Sequence, residues 1–244
     1  MKRYPNLRER LNLAYTELTN KTFSKGSDDL PELICNTSVY PERLVLYSEL
    51  GLYHRYPMTG VCFYEYDSKM DSIHGLYEAI YHNDRSLLTK YKKRFEGVPF
   101  FITPDYSQCG DAHAIENKHR LLRSRIVGLW LLHEIGSVVI PHITFTHLPD
   151  INYALTGLDK CSVVAFSTKG YLNDPVEKAL LKSAIKVATD NLPLKAIVVY
   201  DVCRGNENVQ SIFEYPKSHG ISIIVPMNTL KERNMLKPQG GELK

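Results

Sequence analysis

Acidic and hydroxyl side chains follow apolar segments of this sequence, at positions where they could do acid–base chemistry. Asp105 and Ser107 come just after the apolar residues 99–103. Asp105 could act as an acid, a base or a metal ligand. His142 follows another apolar segment and could bind a ligand or accept a proton. The pattern predicts a site with Asp105 and Ser107 as its catalytic residues.

Two later apolar segments are followed by residues that could hold an anion such as a phosphate group. Hydroxyls, backbone N–H groups and fixed positive charges all bind phosphate oxygens. Together with His142, this combination favours a phosphorylated or carboxylated ligand, and a divalent metal such as Mg²⁺ is one option for the carboxylates. The predicted ligand-binding residues in these two places are Ser167, Lys169, Gly170, Asp201 and Arg204.

Each of these residues also has an ordinary structural explanation. Asp and Ser after a strand commonly cap helices or form turns, an explanation that stays open for Asp67, Asp105 and Asp111. A histidine after an apolar strand, such as His142, is equally a candidate for a hydrogen-bonded core residue. Residues 167–170 lack the spacing of a P-loop, and no HExxH, GxSxG or GxGxxG signature occurs. The sequence therefore leaves open whether the protein is an enzyme.

Basic residues occupy the first half of a long predicted helix, residues 113–135. Arg120 and Arg123 lie three residues apart, which places them on one side of the helix, and Arg125 follows. They could bind the phosphates of a nucleotide or of nucleic acid. They could equally pair with carboxylates on a solvated face. The second half is apolar and is predicted to pack on the sheet, with Gly128 allowing a close approach.

Seven apolar segments rich in β-branched or aromatic residues alternate with helical segments. Most are continuously apolar, which is typical of strands covered on both faces. Because right-handed crossovers return each strand to the same direction, the alternation predicts an α/β fold with a mostly parallel sheet. The sheet would be either open and doubly wound or an incomplete barrel. The predicted strands are residues 44–48, 61–66, 99–103, 138–143, 162–166, 196–200 and 221–225.

The predicted helices have recognisable ends. Asp174 before a proline is typical of a helix start, and Gly136 and Gly220 are typical of helix ends. In parallel sheets, ligands bind at the carboxyl ends of the strands. We therefore expect the polar residues that follow the strands to meet along one edge. The predicted helices are residues 6–19, 71–94 (divided near residue 83), 113–135, 174–191 and 208–218.

The 244-residue chain is predicted to contain one α/β domain, residues 41–228. An N-terminal helix and irregular arm, residues 1–40, would precede it, and a flexible tail, residues 229–244, would follow. A hydrophobic fraction of 43% argues against disorder, and a net charge of +3 argues against a nucleic-acid coat while permitting a local basic face.

Cysteine usage and hydropathy bear on where the protein works. None of the five cysteines forms a CxxC pair, which excludes compact zinc knuckles and indicates reduced thiols in a cytosolic protein. No apolar segment reaches the roughly 20 residues of a membrane helix, and the charged N-terminus leads into no secretory signal. We therefore expect a cytoplasmic protein without a membrane partner.

Five sequence blocks occur in order between about residues 60 and 228. They are Phe-Ile-Thr-Pro-Asp-Tyr-Ser (101–107), Arg-Ser-Arg-Ile-Val-Gly-Leu-Trp (123–130), Val-Ile-Pro-His (139–142), Ser-Val-Val-Ala-Phe-Ser-Thr-Lys-Gly (162–170) and Ile-Val-Val-Tyr (197–200). In these blocks the chain resembles a bacterial family known as domain of unknown function four-four-one-seven. Members occur on phages, plasmids and integrated elements, so the resemblance implies a phage or plasmid setting in a bacterial cell. It implies no activity.

The chain departs from the family pattern at two of the candidate residues. The family usually has Asn where this chain has His142, and often has Gly where this chain has Asp201. The resemblance therefore implies that a role shared across the family falls on other residues. These are Asp105, Ser107, Arg123, Arg125 and Gly170.

The leading hypothesis is a nucleotide or other phosphorylated ligand at the strand ends, with hydrolysis or transfer at a phosphoester. Asp105 would be the acid, base or metal-holding group, and Ser107, Ser167, Lys169 and Arg123 would hold the anion. The alternative is a non-catalytic binding protein of a mobile element, which would bind nucleic acid through the basic helix face or inhibit a host protein. A third option is a degenerate enzyme fold kept as a scaffold.

Overall fold

The seven predicted strands are all present in the computed structural model, which describes residues 7–236. Three further strands are short, and two of them form an antiparallel pair in the N-terminal arm. The strands are β1 (Ser24–Lys25), β2 (Leu30–Pro31), β3 (Arg43–Leu46), β4 (Thr59–Cys62), β5 (Phe100–Ile102), β6 (Val138–Ile140), β7 (Val163–Ser167), β8 (Ala196–Tyr200), β9 (Ser222–Ile224) and β10 (Met227–Asn228).

The helices alternate with the strands from β4 to β9. A 3-10 turn at Leu50–Leu52 and a π-helical turn at Leu131–Ile135 complete the helical structure of the described residues. The α-helices are α1 (Leu7–Arg10), α2 (Thr16–Thr19), α3 (Asp67–Met70), α4 (Leu76–Tyr81), α5 (Arg85–Phe95), α6 (Ala114–Trp130), α7 (Leu148–Leu155), α8 (Pro175–Asn191), α9 (Glu207–Ile212), α10 (Glu214–Ser218) and α11 (Thr229–Leu236).

Local side-chain chemistry sets several helix ends. Asp174 accepts a hydrogen bond from the backbone N–H of Val176 and thereby caps the start of α8. The π-helical turn after α6 ends at Gly136, whose φ of 78° is left-handed. Asn83 also has a positive φ, 51°, where α4 and α5 separate. The predicted helix 6–19 forms two short helices instead, α1 and α2, and residue 6 lies outside the described residues.

The strands form two parallel sheets, which confirms the predicted α/β fold. The first sheet has the order β10-β3-β4-β5-β6 and the second has the order β7-β8-β9. The sheets are linked where Ile143 N–H donates to the Ala165 oxygen and Ala165 N–H donates to the Pro141 oxygen. On the other side, two residues separate β9 in the second sheet from β10 in the first. The described strands therefore follow one another around an incomplete barrel and form no closed one.

Side chains from both sheets fill the interior. Every residue of β4, β7 and β8 is buried, as expected for strands covered on both faces. Just past the end of β4, the ring of Tyr64 stacks on that of Tyr200 at the end of β8, with centroids 4.6 Å apart. Helix α6 packs closely through Gly128, because a Cβ there would lie 2.9 Å from the Thr103 methyl group. The apolar half of α6 is therefore core, as predicted.

The N-terminal arm packs against the sheets. Leu33 N–H donates to the Gly157 oxygen at 3.0 Å, and Ser162 N–H donates to the Cys35 oxygen at 2.9 Å. At the other end of the chain, where a flexible tail was predicted from residue 229, residues 229–236 form helix α11. The rest of the predicted tail, residues 237–244, and residues 1–6 of the arm lie outside the described residues. Within residues 7–236, the helices are all too short or too polar to cross a membrane.

Candidate functional site

A cleft of about 940 Å³ opens where the loops after β5, β6 and β7 meet the start of α8. It lies at the carboxyl ends of neighbouring strands, which is where parallel sheets place ligands. Four of the predicted site residues line it: Asp105, Ser107, Lys169 and Gly170. Its lining also includes Thr144, Phe145, His147, Tyr171, Val176, Glu177 and Leu180.

Asp105 presents one carboxylate oxygen to the protein and the other to the cleft. Its Oδ1 accepts a hydrogen bond from Thr144 Oγ1 at 3.1 Å and lies 3.4 Å from Nε2 of His142. No described residue donates a hydrogen bond to Oδ2, and 32% of the side chain is exposed. Oδ2 is therefore the oxygen available to a ligand.

His142 connects Asp105 to the interior of the barrel. Its Nδ1 lies 3.0 Å from the hydroxyl of Tyr64, and its backbone N–H donates to Thr103 Oγ1 at 2.9 Å. Only 5% of the imidazole is exposed. A neutral ring with the proton on Nε2 lets Tyr64 donate to Nδ1 while Nε2–H faces Asp105, so every contact pairs a donor with an acceptor. The result is a chain of contacts from Tyr64 through His142 to Asp105.

The surroundings of Asp105 favour its ionised form. Burial opposes ionisation, but the contact with His142, the Thr144 hydroxyl and the charge of Lys169 together lower the pKa of Asp105 below its usual value of 3.8. Burial raises the pKa of Tyr64 well above its usual range, so its hydroxyl keeps its proton and can donate to His142. Asp105 is therefore a carboxylate at neutral pH.

The turn after β7 places a positive charge at the cleft. Lys169 is exposed, and its Nζ donates to the main-chain oxygen of Tyr64 at 2.7 Å. Its ammonium group has no carboxylate within ion-pair distance among residues 7–236, so its charge is available to an anion. Gly170 follows with a φ of 92°, which a residue with a side chain rarely adopts. Ser167 is buried and accepts a hydrogen bond from Lys169 N–H, so it supports the turn and does not line the cleft.

Ser107 lines the cleft but is bonded to a different aspartate. Its backbone N–H and its hydroxyl both donate to Oδ1 of Asp67, each at 3.1 Å. Oδ2 of Asp67 receives Nη1 of Arg120 at 2.8 Å, and the same Nη1 donates to the Ser107 oxygen. These bonds fix the loop after β5, and they leave the Ser107 hydroxyl only its acceptor role toward a ligand.

Arg123 lies away from the cleft in a carboxylate and aromatic cage. Its guanidinium pairs with Asp71 and lies 3.6 Å from Glu78. The same group lies 4.4 Å from the ring centre of Tyr77 and 4.9 Å from that of Tyr106. Burial lowers the pKa of Arg123. Its contacts are those of a residue that ties α6 to the segment before α4.

Arg125 is also separate from the cleft. It is 2% exposed, and its Nη2 donates to the main-chain oxygens of Ala154 and Thr156 at the end of α7. Burial lowers its pKa to about 10. Among residues 7–236, its Nε and Nη1 have no hydrogen-bond partner. The described structure therefore uses Arg125 to hold the carboxyl end of α7.

The predicted basic face of α6 is neutralised by nearby carboxylates. Lys118 pairs with Asp28 at 2.5 Å, and Arg120 pairs with Asp67 as well as with Glu116 at 3.0 Å. With Arg123 and Arg125 engaged as well, a nucleic-acid strand would have to compete with these partners. Binding of nucleic acid through this face stays a prediction that no contact in the structure favours.

Asp201 and Arg204 are not brought to the cleft. Asp201 is fully buried, and its Oδ2 pairs with Lys231 Nζ at 2.5 Å while its Oδ1 accepts from Thr168 Oγ1 at 2.9 Å. Arg204 is exposed and lines a separate cavity of about 380 Å³, which Lys217 and Lys231 also line. Among residues 7–236, no three His, Cys, Asp or Glu side chains are grouped so that they could hold a metal ion.

Tyr64, Tyr171 and Glu177 are among the site residues that were not predicted. Tyr64 falls inside a predicted strand, residues 61–66, and its side chain is buried. Tyr171 and Glu177 lie beyond the predicted strand end, in the turn after β7 and in the first turn of α8. A rule that also included the loop after the strand and the first turn of the next helix would have included both of them.

The comparisons with known proteins identify a family without an activity. The model of the family described as "Domain of unknown function (DUF4417)" matches residues 24–216. This range is more than half of the chain and contains all five sequence blocks, which confirms the resemblance. A search of curated proteins gives no match. The expected setting on mobile elements stays a prediction.

Proposed function

This chain belongs to the DUF4417 family, and from its own cleft we propose that it binds a small phosphorylated molecule, with nucleotides among the candidates. We further propose that Asp105 is the general base for hydrolysis or transfer at the phosphoester. The proposal rests on one observation. The ionised carboxylate of Asp105 is held through Oδ1, and its Oδ2 is open to a cleft lined by charged groups.

Lys169 supports the anionic part of the ligand. A phosphate group near its ammonium would gain a charge-assisted hydrogen bond, the stronger class of such bonds. The charge of Lys169 also lowers the pKa of Asp105. Both residues line the same cleft, so one ligand could contact both. Oδ2 of Asp105 would take the proton of a water molecule or a ligand hydroxyl as its oxygen bonds to phosphorus. The bond from phosphorus to the leaving oxygen would break in the same reaction.

His142 and Tyr64 would act on the reaction through Asp105. Both are buried, so neither is placed to touch the ligand. The contact of His142 with Oδ1 orients the carboxylate and keeps its second oxygen directed to the cleft. The Tyr64 hydroxyl in turn contacts Nδ1 of His142 and holds the ring with Nε2 toward Asp105. We assign both residues a positioning role.

The test separates binding from turnover. Nucleoside mono- and triphosphates and sugar phosphates would be offered as probes, with binding measured by calorimetry and phosphate release measured with and without Mg²⁺. Asp105→Asn should lower turnover by about 100-fold or more while binding persists, because a general base typically contributes about 10²–10⁴-fold. Lys169→Met should weaken binding itself.

Two exposed residues on the arm side of the molecule provide matched controls. Asp159 and Lys160 lie outside the cleft lining, and Asp159→Asn and Lys160→Met should change neither property. The proposal is wrong if Asp105→Asn turns over every probe at the wild-type rate, or if no phosphorylated probe binds to the wild-type protein.

A further inference from the structure

Part of the cleft lining is apolar, and one of its residues is exposed. Val176 and Leu180 are four residues apart on α8 and therefore share one helix face, and 74% of Val176 is exposed. The ring of Tyr171 stacks on that of Phe145, with centroids 5.6 Å apart. All four residues line the same cleft as Asp105 and Lys169. An inorganic phosphate or a sugar phosphate has no apolar surface to place against them.

Tyr171 connects this apolar part with the charged part. Burial raises the pKa of Tyr171, and the negative charges of Asp105 and Glu177 raise it further. All three side chains line the cleft. Glu177 lies in the first turn of α8, one residue after Val176. A ligand that covers Tyr171 and Val176 would therefore share the cleft with the carboxylates of Asp105 and Glu177 and with the ammonium group of Lys169.

The charges select the orientation of such a ligand. Glu177 as a carboxylate is only an acceptor, so it suits sugar hydroxyls or an exocyclic amine and repels phosphate. Lys169 is only a donor, so it suits the phosphate. A flat heterocycle fits the aromatic and aliphatic surface. A cleft of about 940 Å³ is in the upper part of the range for small-molecule sites, which gives room for all three parts.

We propose that the ligand is a mononucleotide whose base covers Tyr171 and Val176, whose ribose hydroxyls face Glu177 and whose phosphate lies at Lys169. This inference rests on the proposed function, because it places the phosphate beside Asp105. It goes further because it identifies the group to which the phosphate is attached as a nucleoside.

The experiment compares ligands that share a phosphate and differ in the rest. Calorimetry would measure AMP, GMP, CMP, UMP, ribose 5-phosphate, O-phosphotyrosine and inorganic phosphate. At least one nucleotide should bind about tenfold or more tightly than ribose 5-phosphate, a difference within the reach of one stacked base. Glu177→Gln should reduce any preference of the site for AMP over 2′-deoxy-AMP.

Val176→Ser tests the base position with little risk to folding, since the side chain is exposed. It should weaken the nucleotide and leave ribose 5-phosphate unchanged. Val39→Ser is the matched control, because Val39 is also exposed and does not line the cleft. The inference is overturned if Val176→Ser leaves nucleotide affinity unchanged.

The remaining outcomes separate the inference from the proposed function. Equal affinity for ribose 5-phosphate and every nucleotide would show that the cleft does not bind the base. The proposed phosphate site would be unaffected by that result. Tighter binding of O-phosphotyrosine than of any nucleotide would contradict the inference, because it would show that the site prefers an aromatic phosphate monoester to a nucleotide. Absence of binding by all seven probes would overturn both proposals.

Discussion

At the scale of single residues, Asp105 differs from two other aspartates that follow strands. Both carboxylate oxygens of those two aspartates are bonded to described residues of the protein. Asp67 has one oxygen bonded to a serine and the other to Arg120. Asp201 has one oxygen bonded to a threonine and the other to Lys231. Both are fully engaged in holding the fold, whereas Asp105 keeps Oδ2 for the cleft. The free oxygen, more than the residue type, marks Asp105 as the functional group.

The support that His142 gives to Asp105 predicts a dependence of stability on pH. Because folding lowers the pKa of Asp105 below 3.8, its ionised form stabilises the fold above about pH 4, and this contribution is lost as the pH falls further. In His142→Phe the carboxylate loses a partner, so its pKa should rise. Stability should fall at pH 7 by about 1.5–3 kcal/mol, the size of a hydrogen bond to a charged group, and by less at pH 3.

Urea unfolding at pH 7 and pH 3, with a carbon-13 titration of the Asp105 carboxyl group, measures both effects. His142→Gln should restore part of the pKa shift, because its amide nitrogen can donate to Oδ1. His82→Phe is the control, since His82 is half exposed and lies outside the cleft lining. An unchanged Asp105 titration in His142→Phe would show that the two side chains are not coupled.

Part of the site could be predicted from the sequence because the end of a strand can be recognised from neighbouring residues. Asp105, Lys169 and Gly170 each follow an apolar segment closely, and the parallel sheet then brings them together. The contacts that decide their roles are distant in sequence, and no local pattern reveals them. Tyr64 lies 78 residues from His142, and the carboxylate partner of Arg123 lies 52 residues away.

At the scale of elements, helix α6 carries both an exposed and a buried ion pair, and their loss should reduce stability by different amounts. The Asp71 side chain is 3% exposed, so Arg123→Met would leave a buried carboxylate unpaired and should destabilise the protein by about 3–5 kcal/mol. Lys118→Met removes a pair whose side chains are each 39% exposed, and it should cost far less.

Chemical denaturation of the two variants, together with binding of a fluorescent DNA duplex at low salt, distinguishes a structural face from a nucleic-acid face. We expect Arg123→Met to lower stability and both variants to leave DNA binding unchanged. Salt-sensitive DNA binding that is lost in both variants, with little change in stability, would instead support the nucleic-acid hypothesis.

The ends of helices could be predicted where residues close in sequence determine them. Asp174 begins α8 through a local side-chain hydrogen bond, and Gly136 ends the π-helical turn after α6 through its left-handed backbone conformation. Helix α7 was not predicted, and its first residues explain this: His147 precedes it without a side-chain capping bond. Contacts with α8 and with Arg125 stabilise α7, and both lie far along the chain.

At the scale of the whole molecule, alternation of strands and helices predicted the parallel direction but not how the two sheets meet. The pairing of β10 with β3 joins Met227 to Arg43, near opposite ends of the described chain. A strand of two residues carries too little apolar pattern to be recognised. Its position depends on α11, which follows directly and which the sequence placed in a tail.

Helix α11 contacts both sheets through charged side chains. Lys231 pairs with Asp201, which follows β8 in the second sheet, and Glu232 pairs with Arg43 on β3 in the first. The first pair is almost fully buried, with 7% and 0% of the two side chains exposed, while 41% of Glu232 is exposed. The two pairs therefore allow the same helix to be tested with and without solvent screening.

Lys231→Met should destabilise the protein by about 3–5 kcal/mol, because it leaves the buried carboxylate of Asp201 without its positive partner. Adding Asp201→Asn should recover most of this loss, since the amide is uncharged and its oxygen can still accept the bond from Thr168. Glu232→Gln should cost much less, because water screens that pair. Urea unfolding of the four proteins measures these differences. A double variant as unstable as Lys231→Met would mean that α11 is held by packing, and that the charge pair does not join the sheets.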